Sequence, residues 1–373
     1  MRNMATEMET GEFGESQLNV DTEIVKCPGC GSNMVFDPDG QTLLCEHCGT
    51  KKKLENVIQA KEQDLLTALA ENGEKWDKKE TVVFSCDNCG AKVVLSSGET
   101  AKSCPFCGTA HVQKTEEFAG LKPNALIPFQ FAEEKAVNFS KTWARKRLFA
   151  PRKFKKTLSA DNVKGVYTPC FTFDSKTTSY YVGRIGDRHT RTVGSGKNRR
   201  VETYIVWRNI KGTFYDGFDD VLITAGSKFD QDKLDKIAPY STNEGREYEG
   251  KYLLGFMAYH YDHELPACWN SAKSKMDAMI RRHILKQYHY DVLDYLNVST
   301  THEQVTYKYV MLPVYVGNYQ YKKKLYNFFV NGSTGKVTGK TPVSPWRVLA
   351  AVFLGLAAVA GIAALLYFGG FFS

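Results

Sequence analysis

Two absences narrow the classes of protein that this sequence can encode. The first 23 residues contain no basic segment followed by an apolar one, so no secretory signal is expected and the bulk of the chain should stay in the cytoplasm. A nucleotide-binding P-loop is also missing, because neither Gly196-Lys197 nor Gly339-Lys340 has the glycine that the motif requires upstream. With no helicase, ATPase or hydrolase motif, the chain is not expected to be an enzyme.

Composition indicates a folded protein with a modest excess of basic residues. Hydrophobic residues make up 43% of the 373 positions, enough for one substantial core with small satellite domains. Lys and Arg number 49 against 41 Asp and Glu, an excess that favours anionic partners such as nucleic acid or lipid without choosing between them. Because the cytoplasm is reducing, clustered cysteines are interpreted as metal ligands rather than disulfides.

Eight of the ten cysteines form an internal repeat. Each unit has two Cys-x-x-Cys pairs separated by 14 residues, and every cysteine recurs 59 positions later. Four thiolates at this spacing can surround one ion as a tetrahedron with Zn–S distances of about 2.3 Å, leaving no open position for hydrolytic water. The pattern predicts two structural Zn²⁺ ions, with iron as the alternative metal. The predicted ligands are Cys27, Cys30, Cys45, Cys48, Cys86, Cys89, Cys104 and Cys107.

The residues around the cysteines predict two small β units, zinc ribbons over residues 24–53 and 81–115. A glycine follows each pair directly, and since glycine tolerates positive φ, the chain can fold back and aim N–H groups at the thiolates. Strand-forming residues flank the turn Asp37-Pro-Asp-Gly40, and a second hairpin is expected around residues 92–98. His47 is expected at the surface rather than at the metal.

The role of the ribbons is open between a staple for the fold and a platform for a partner. A unit of about 30 residues cannot bury enough core to fold without its ion. Two tandem copies exceed what stapling one domain requires, which favours a platform for protein or nucleic acid. Apolar residues near helical spacing predict a linker helix within residues 54–80.

An uncharged run of 21 residues, 348–368, predicts a transmembrane helix over residues 346–368. At a rise of about 1.5 Å per residue, it matches the hydrocarbon core of about 30 Å. Arg347 and Lys340 precede the run, which predicts a single-pass protein of the cell membrane with its N-terminal domains in the cytoplasm. Small residues such as Gly355 and Gly361 could allow two such helices to pack together, so a homodimer is one hypothesis.

The middle of the chain, residues 120–343, mixes helical and strand patterns, which predicts an α+β domain rather than a doubly wound sheet. Apolar periodicity predicts helices over residues 132–148 and 267–295. Residues 1–23 are predicted to be a disordered tail. Strands are predicted over residues 166–174, 178–186, 201–214, 221–224 and 306–316, with a hairpin across 319–330.

Several short motifs follow one another along the chain: Cys27-Pro-Gly-Cys30, Val166-Tyr-Thr-Pro169, Trp207-Arg208, Leu254-Gly-Phe-Met-Ala258, Leu312-Pro-Val-Tyr315 and Phe329-Val-Asn-Gly-Ser-Thr-Gly-Lys336. Together with the ribbons, they resemble a family of bacterial membrane proteins described as transcription-factor-IIB-type zinc-ribbon proteins. Members of this family often have a replication-restart helicase label. The resemblance covers most of the chain and implies zinc binding with an attached α+β domain, but no reaction and no catalytic residue.

Two further sets of residues are weaker chemical candidates. His260 and His263, with Asp262 and Glu264, could bind a metal, but they follow a strand pattern. Cys170 and Cys268 could be nucleophiles, although a lone thiol in an apolar segment is more often buried in the core.

A basic segment, residues 141–156, contains eight basic and no acidic residues, with aromatic residues between them. Three interpretations remain open: a nucleic-acid surface, a lipid-headgroup surface, or a solvated helix face whose aromatics pack on the core. Its basic residues are Lys141, Arg145, Lys146, Arg147, Arg152, Lys153, Lys155 and Lys156. Further arginines and a lysine lie at Arg184, Arg188, Arg191, Lys197, Arg199 and Arg200.

These patterns favour a membrane-tethered, zinc-binding adaptor or scaffold, without enzymatic activity, for a cytoplasmic protein partner. The second hypothesis is nucleic-acid binding at the membrane in replication or transcription, and the third is an enzyme whose site lies unrecognised in residues 120–343.

Overall fold

The computed structural model describes residues 25–54, 58–71, 82–95, 104–109, 112–114, 121–156, 163–321 and 324–368. The described residues form a mixed α+β fold with two four-cysteine clusters and one apolar C-terminal helix, as predicted. The helices are α1 (Leu65–Glu71), α2 (Glu133–Arg145), α3 (Arg152–Lys156), α4 (Gln231–Ile237), α5 (Leu265–Lys286) and α6 (Pro345–Phe368). The strands are β1 (Val35–Asp37), β2 (Thr42–Leu44), β3 (Lys51–Lys53), β4 (Gln63–Asp64), β5 (Val82–Cys86), β6 (Lys92–Leu95), β7 (Val112–Lys114), β8 (Ala125–Leu126), β9 (Val163–Val193), β10 (Arg200–Thr224), β11 (Arg246–Glu247), β12 (Met257–Tyr259), β13 (Val292–Tyr321), β14 (Lys324–Asn331) and β15 (Val337–Gly339).

Strand β9 is the centre of the large sheet and pairs antiparallel with β10 on one side and β13 on the other. It is continuous, whereas the sequence predicted two strands separated near residue 176. Its buried stretch, residues 165–173, lies under other elements on both faces, and from Ser175 to Ile185 the side chains alternate between buried and more exposed. A strand can continue in this way because its backbone groups pair with both neighbours along its length.

The outer part of these strands forms an arm, residues 175–218 with 292–303. Helix α5 covers one face of the arm and buries Ala272, Met276, Ile280 and Ile284. On that face lie Ile185, Ile210 and Leu296, all buried. The opposite face of the arm carries exposed side chains, so the arm has one packed face and one open face.

Two predicted helices have different bounds in the structure. The helix predicted over residues 267–295 ends at Lys286, and β13 begins at Val292, because Leu296 and the residues after it pair with β9. The predicted linker helix is short: Leu65–Glu71 is helical, whereas Gln59 bridges Arg246 and Gln63 pairs with Tyr307. Tertiary pairing overrides the helical spacing of this segment. Residues 55–57 and 72–80 lie outside the described residues, as does the predicted tail.

The two ribbon units attach to the rest of the protein in different ways. Strands β1, β2 and β3 form a small antiparallel sheet of their own, with the predicted hairpin between β1 and β2. By contrast, β5, β6 and β7 belong to the large sheet, since β6 pairs with β12 and β12 runs parallel to β9. The boundary predicted between the second ribbon and the α+β domain therefore does not interrupt the sheet.

Helix α6 ends the described chain. Within Pro345–Leu365, an 18-residue window has a mean hydropathy of 2.6, and none of that window is buried against the protein. The helix is therefore long and apolar enough to cross a membrane.

Candidate metal centres

All four Cys-x-x-Cys pairs adopt the same turn. The glycine after each pair has a φ between 70° and 77°, the left-handed region that a side chain would disfavour. Its N–H donates to the carbonyl of the first cysteine at 2.7–2.9 Å. The N–H of the first cysteine in turn donates to the backbone carbonyl of the residue after the glycine at 2.8–2.9 Å. The glycines are Gly31, Gly49, Gly90 and Gly108.

These turns bring the eight cysteine sulfurs into two compact sets. In the first set, Sγ–Sγ distances are 3.5 Å for Cys27–Cys48 and 3.5 Å for Cys30–Cys45. A tetrahedron with metal–sulfur bonds of about 2.3 Å has edges of about 3.8 Å, so the spacing suits one ion. The second set is equivalent, with 3.5 Å for Cys86–Cys107 and 3.7 Å for Cys89–Cys104. The protein therefore has two four-cysteine sites, each able to hold a metal ion.

The first site is open to solvent on one side. Cys27 and Cys45 are buried, whereas Cys30 and Cys48 are exposed. The Gly29 N–H lies 3.4 Å from the Cys27 sulfur, and the Thr50 hydroxyl lies 3.1 Å from the Cys48 sulfur. That hydroxyl lowers the pKa of Cys48, which favours the thiolate that a metal ion requires.

The second site is enclosed by the large sheet. Phe106 is buried, and its ring packs at 4.9 Å from that of Tyr259 in β12. The Asn318 amide donates to the Pro105 carbonyl at 3.4 Å, and Lys228 donates to the Cys89 carbonyl. Burial raises the pKa of Cys89 to about 11, so this thiol would stay protonated without a metal ion.

Comparison with known proteins finds a relative that aligns with most of the chain. The chain is similar to the uncharacterised protein YdjG of Bacillus subtilis (strain 168). The two are 29% identical over 341 residues, which cover 89% of this chain and 93% of YdjG. No family model matches the chain, and no solved structure matches it. The similarity extends over most of both proteins, and it does not indicate an activity for this chain.

The weaker candidates from the sequence do not form a second reactive centre within the described residues. Cys170 and Cys268 are buried, and burial raises the pKa of Cys268 to about 12, which opposes a nucleophilic thiolate. The ligand atoms of His260, His263, Asp262 and Glu264 do not converge as those of the cysteines do. The Asp262 carboxylate instead accepts from the Ser227 N–H at 2.8 Å.

A charge network around the buried Lys308 was missed by sequence reasoning. Lys308 lies 3.3 Å from Glu62 and 2.9 Å from Asp220, and the Thr306 hydroxyl donates to Glu62 at 2.8 Å. Burial raises the pKa of the neighbouring Asp174 to about 7. Since residues from four distant segments contribute, no local motif could have signalled it. Lys308 offsets part of the negative charge of these carboxylates.

The basic segment lies on α2, α3 and the loop between them. Arg145, Lys146, Arg147, Arg152 and Lys153 are exposed and Lys141 is half-buried; the side chains of Lys155 and Lys156 lie outside the described part. Two of its aromatics pack on the core, as the third interpretation of the segment predicts. Phe154 is buried, and its ring centre lies 5.0 Å from that of Tyr319. The ring centre of Trp143 lies 6.0 Å from that of Phe328.

Proposed function

We propose that this protein is a membrane-tethered zinc-binding adaptor without enzymatic activity, with its ribbons in the cytoplasm. The observation that supports this proposal best is the presence of two four-cysteine sets on one body that ends in an apolar helix. Four sulfurs complete the coordination of each ion, so the sites suit a structural role rather than metal-assisted hydrolysis.

Zinc is the metal that suits these sites. The eight ligands are all cysteine sulfurs in tetrahedral spacing, the arrangement of structural zinc sites, and the resemblance to transcription-factor-IIB-type ribbons supports the same metal. The residual alternative, iron, differs in colour and redox chemistry. A purified colourless protein with two zinc ions would support this part of the proposal.

The residues before α6 support the proposed cytoplasmic orientation of the ribbons. Arg347 and Lys340 lie just before the apolar run, and positive charge on that side favours a cytoplasmic location for the preceding residues. The reducing cytoplasm would keep the eight thiolates available for metal. Small residues along α6, such as Gly355 and Gly361, would allow two copies to pair.

The open face of the arm is the surface best suited to a protein partner. The strand register places Tyr180, Tyr215 and Tyr295 on this face, opposite α5. Trp207 lies there too, with the Arg184 guanidinium 5.0 Å from its ring centre. The three tyrosines are exposed, and Trp207 is half-buried. Tyrosine, tryptophan and arginine are the residues enriched at the centres of protein interfaces.

A pull-down of full-length protein from detergent-solubilised membranes tests this function. We expect a cytoplasmic protein to be recovered with the wild type and lost with the double variant Tyr180→Ala, Tyr215→Ala. The matched control is Tyr204→Ala, an exposed tyrosine on the opposite side of the same arm. Equal recovery with all three proteins would contradict the arm as the partner surface.

Nucleic-acid binding at the membrane is the second candidate, and the same face of the arm favours it. Exposed aromatic rings beside Arg184 and Lys211 could stack bases and contact phosphates. Sequencing of nucleic acid from the same pull-down separates the two candidates. Recovery of nucleic acid that depends on Tyr180 and Tyr215, with no protein, would favour this second function.

A further inference from the structure

The loop between α2 and α3 is held against the start of α6. The Ser344 N–H donates to the Phe149 carbonyl at 2.8 Å, and the Arg347 guanidinium donates to the Leu148 carbonyl at 2.9 Å. These two hydrogen bonds join segments that are distant in the sequence; Arg347 and Leu148 are 199 residues apart. The loop therefore lies at the level where the apolar helix leaves the protein body.

Apolar side chains project from this place instead of packing on the core. Leu148 is 75% exposed, Phe149 is 43% exposed and Trp346 is 80% exposed. Neighbouring apolar residues of the same segments, Ala150 and Phe154, are buried. Exposed leucine, phenylalanine and tryptophan beside a spanning helix match the depth of the membrane interface, where aromatic residues are favoured.

Basic side chains surround these apolar residues. Lys146, Arg147 and Arg152 are exposed, and the segment from Lys141 to Lys156 contains no acidic residue. The Arg147 guanidinium lies 5.1 Å from the centre of the Trp143 ring, which holds it at the surface beside the loop. Lysine and arginine next to a membrane are attracted to anionic lipids within a Debye length of the surface.

We propose that residues 146–153 and the start of α6 form a docking surface for anionic phospholipid headgroups. Charge complementarity and continuity with the spanning helix identify this occupant. The inference rests on α6 crossing the membrane, and it goes beyond a single-helix anchor. The part of the protein before α6 would then contact the membrane at a second place. Its orientation relative to the bilayer would therefore be fixed, whereas a single-helix anchor would let it rotate.

Site-specific photocrosslinking in lipid nanodiscs tests the proposal on the full-length, zinc-loaded protein. Benzoylphenylalanine replaces Phe149 in one sample and Tyr215, which is 73% exposed on the arm, in the control sample. The nanodiscs contain phosphatidylcholine alone or an equal mixture with phosphatidylglycerol. We expect lipid adducts from position 149 and none from position 215, with phosphatidylglycerol over-represented among the adducts.

A charge variant tests the headgroup preference separately. Lys146→Gln, Arg152→Gln and Lys153→Gln together should remove the over-representation of phosphatidylglycerol, whereas Arg147 stays in place over Trp143 so that the local fold is retained. The control with an equal change of charge, Lys176→Gln, Arg188→Gln and Lys211→Gln, should leave the preference unchanged.

Three results would overturn the inference. The first is the absence of lipid adducts at position 149, and the second is the formation of adducts without a headgroup preference in the wild type. The third is the loss of lipid adducts, and the formation of oligonucleotide adducts, when a single-stranded oligonucleotide is added at physiological salt. Incorporation into nanodiscs reports on α6 by itself, and the pull-down reports on the arm. Failure of the lipid surface is therefore distinguishable from failure of the adaptor function.

Discussion

The backbone N–H of Phe36 in the first ribbon donates to the carbonyl of Leu254 at 3.0 Å. The Phe36 ring packs edge-on against Tyr252 at 5.3 Å and lies 6.4 Å from Phe256. Phe256 stacks on Phe129 at 4.3 Å in the aromatic core beneath the large sheet. The first ribbon is thus connected to the core through Phe36.

The first prediction concerns loss of one metal ligand. Cys27→Ser should lower the zinc content from two ions to one per chain, because three sulfurs hold the ion far more weakly than four. The first ribbon should unfold, because a unit of this size cannot fold without its ion. The Phe36 contacts add that amides of residues 252–256 should also exchange faster with solvent, while those of β9 should not.

Elemental analysis and hydrogen exchange check this prediction. Cys86→Ser is the matched variant, since it removes the equivalent ligand from the site enclosed by the large sheet. It should also lose one ion, and protection should fall in β6 and β12 instead of around residue 254. Retention of two ions in either variant would contradict the assignment of the cysteines.

The second prediction separates packing from metal binding. Phe36→Ala should lower the free energy of unfolding by about 3–5 kcal/mol, since it removes a fully buried ring from the core. Both zinc ions should remain bound, because Phe36 is not a ligand. Tyr215→Ala, at an exposed aromatic position, should change stability by no more than about 0.5 kcal/mol. Denaturant unfolding with parallel metal analysis measures both.

The metal sites could be predicted from the sequence because the residues that determine them are close together in the chain. Spacing places the sulfurs, and Gly31 and Gly49 occupy the positive-φ positions that the turns require. The uncharged run likewise predicted α6. By contrast, the segment before α1 has helical spacing but pairs with Arg246 and Tyr307, which are far away in the sequence.

The surface beside the start of α6 could not be predicted from the sequence either, because it also depends on contacts between distant residues. The basic composition around Arg147 allowed three interpretations, and nothing near Leu148 in the sequence indicates Arg347 as its neighbour. The second predicted helix extended too far because apolar residues continue past Lys286. The β-branched residues Val298 and Thr300 favour the strand that pairs with β9.

The third prediction is a loss of stability in acid that depends on His260. Burial lowers the pKa of His260 to about 4, below its ordinary value of 6.5, and Lys92 acts in the same direction. Between these values the unfolded chain binds a proton that the folded protein does not bind. Folding stability is therefore full above pH 6.5 and falls as the pH drops toward 4.

Unfolding measured across this pH range tests the effect. At about 1.4 kcal/mol per unit of pKa difference, the loss of folding stability is at most about 3.5 kcal/mol. His260→Gln should show a shallower loss, whereas His189→Gln, at an exposed position, should follow the wild type. Because acid also releases zinc from thiolates, the informative quantity is the difference between variant and wild type. Equal slopes would exclude His260 as the cause.

The fourth prediction concerns attachment to the membrane. Full-length protein should stay with the membrane in alkaline carbonate, whereas a chain that ends at residue 345 should be soluble, because the apolar surface of α6 is removed. In intact cells, external protease should leave the ribbons uncut and cut them only after lysis. Extraction of the full-length protein by carbonate would refute a spanning α6. Cleavage in intact cells would refute only the orientation.

The fifth prediction concerns nucleic acid. If residues of the basic segment contacted phosphates, each neutralised phosphate would add about 0.7–0.9 to the slope of log affinity against log salt, and six contacts would make binding collapse toward physiological salt. The 41 acidic residues dilute the basic charge, and the structure places Arg147 and Lys146 beside the start of α6. We therefore expect detergent-solubilised protein to bind a single-stranded oligonucleotide only weakly at physiological salt.

Fluorescence anisotropy over a salt series measures this binding. Arg145→Ala, Lys146→Ala and Arg147→Ala together should reduce the weak binding of the solubilised protein, and the same protein in anionic nanodiscs should bind even less, since lipid headgroups occupy the surface. Arg184→Ala with Lys211→Ala is the companion variant for the arm. A tight and steeply salt-dependent complex that persists in nanodiscs and is lost with the first variant would reverse the order of the two candidate functions.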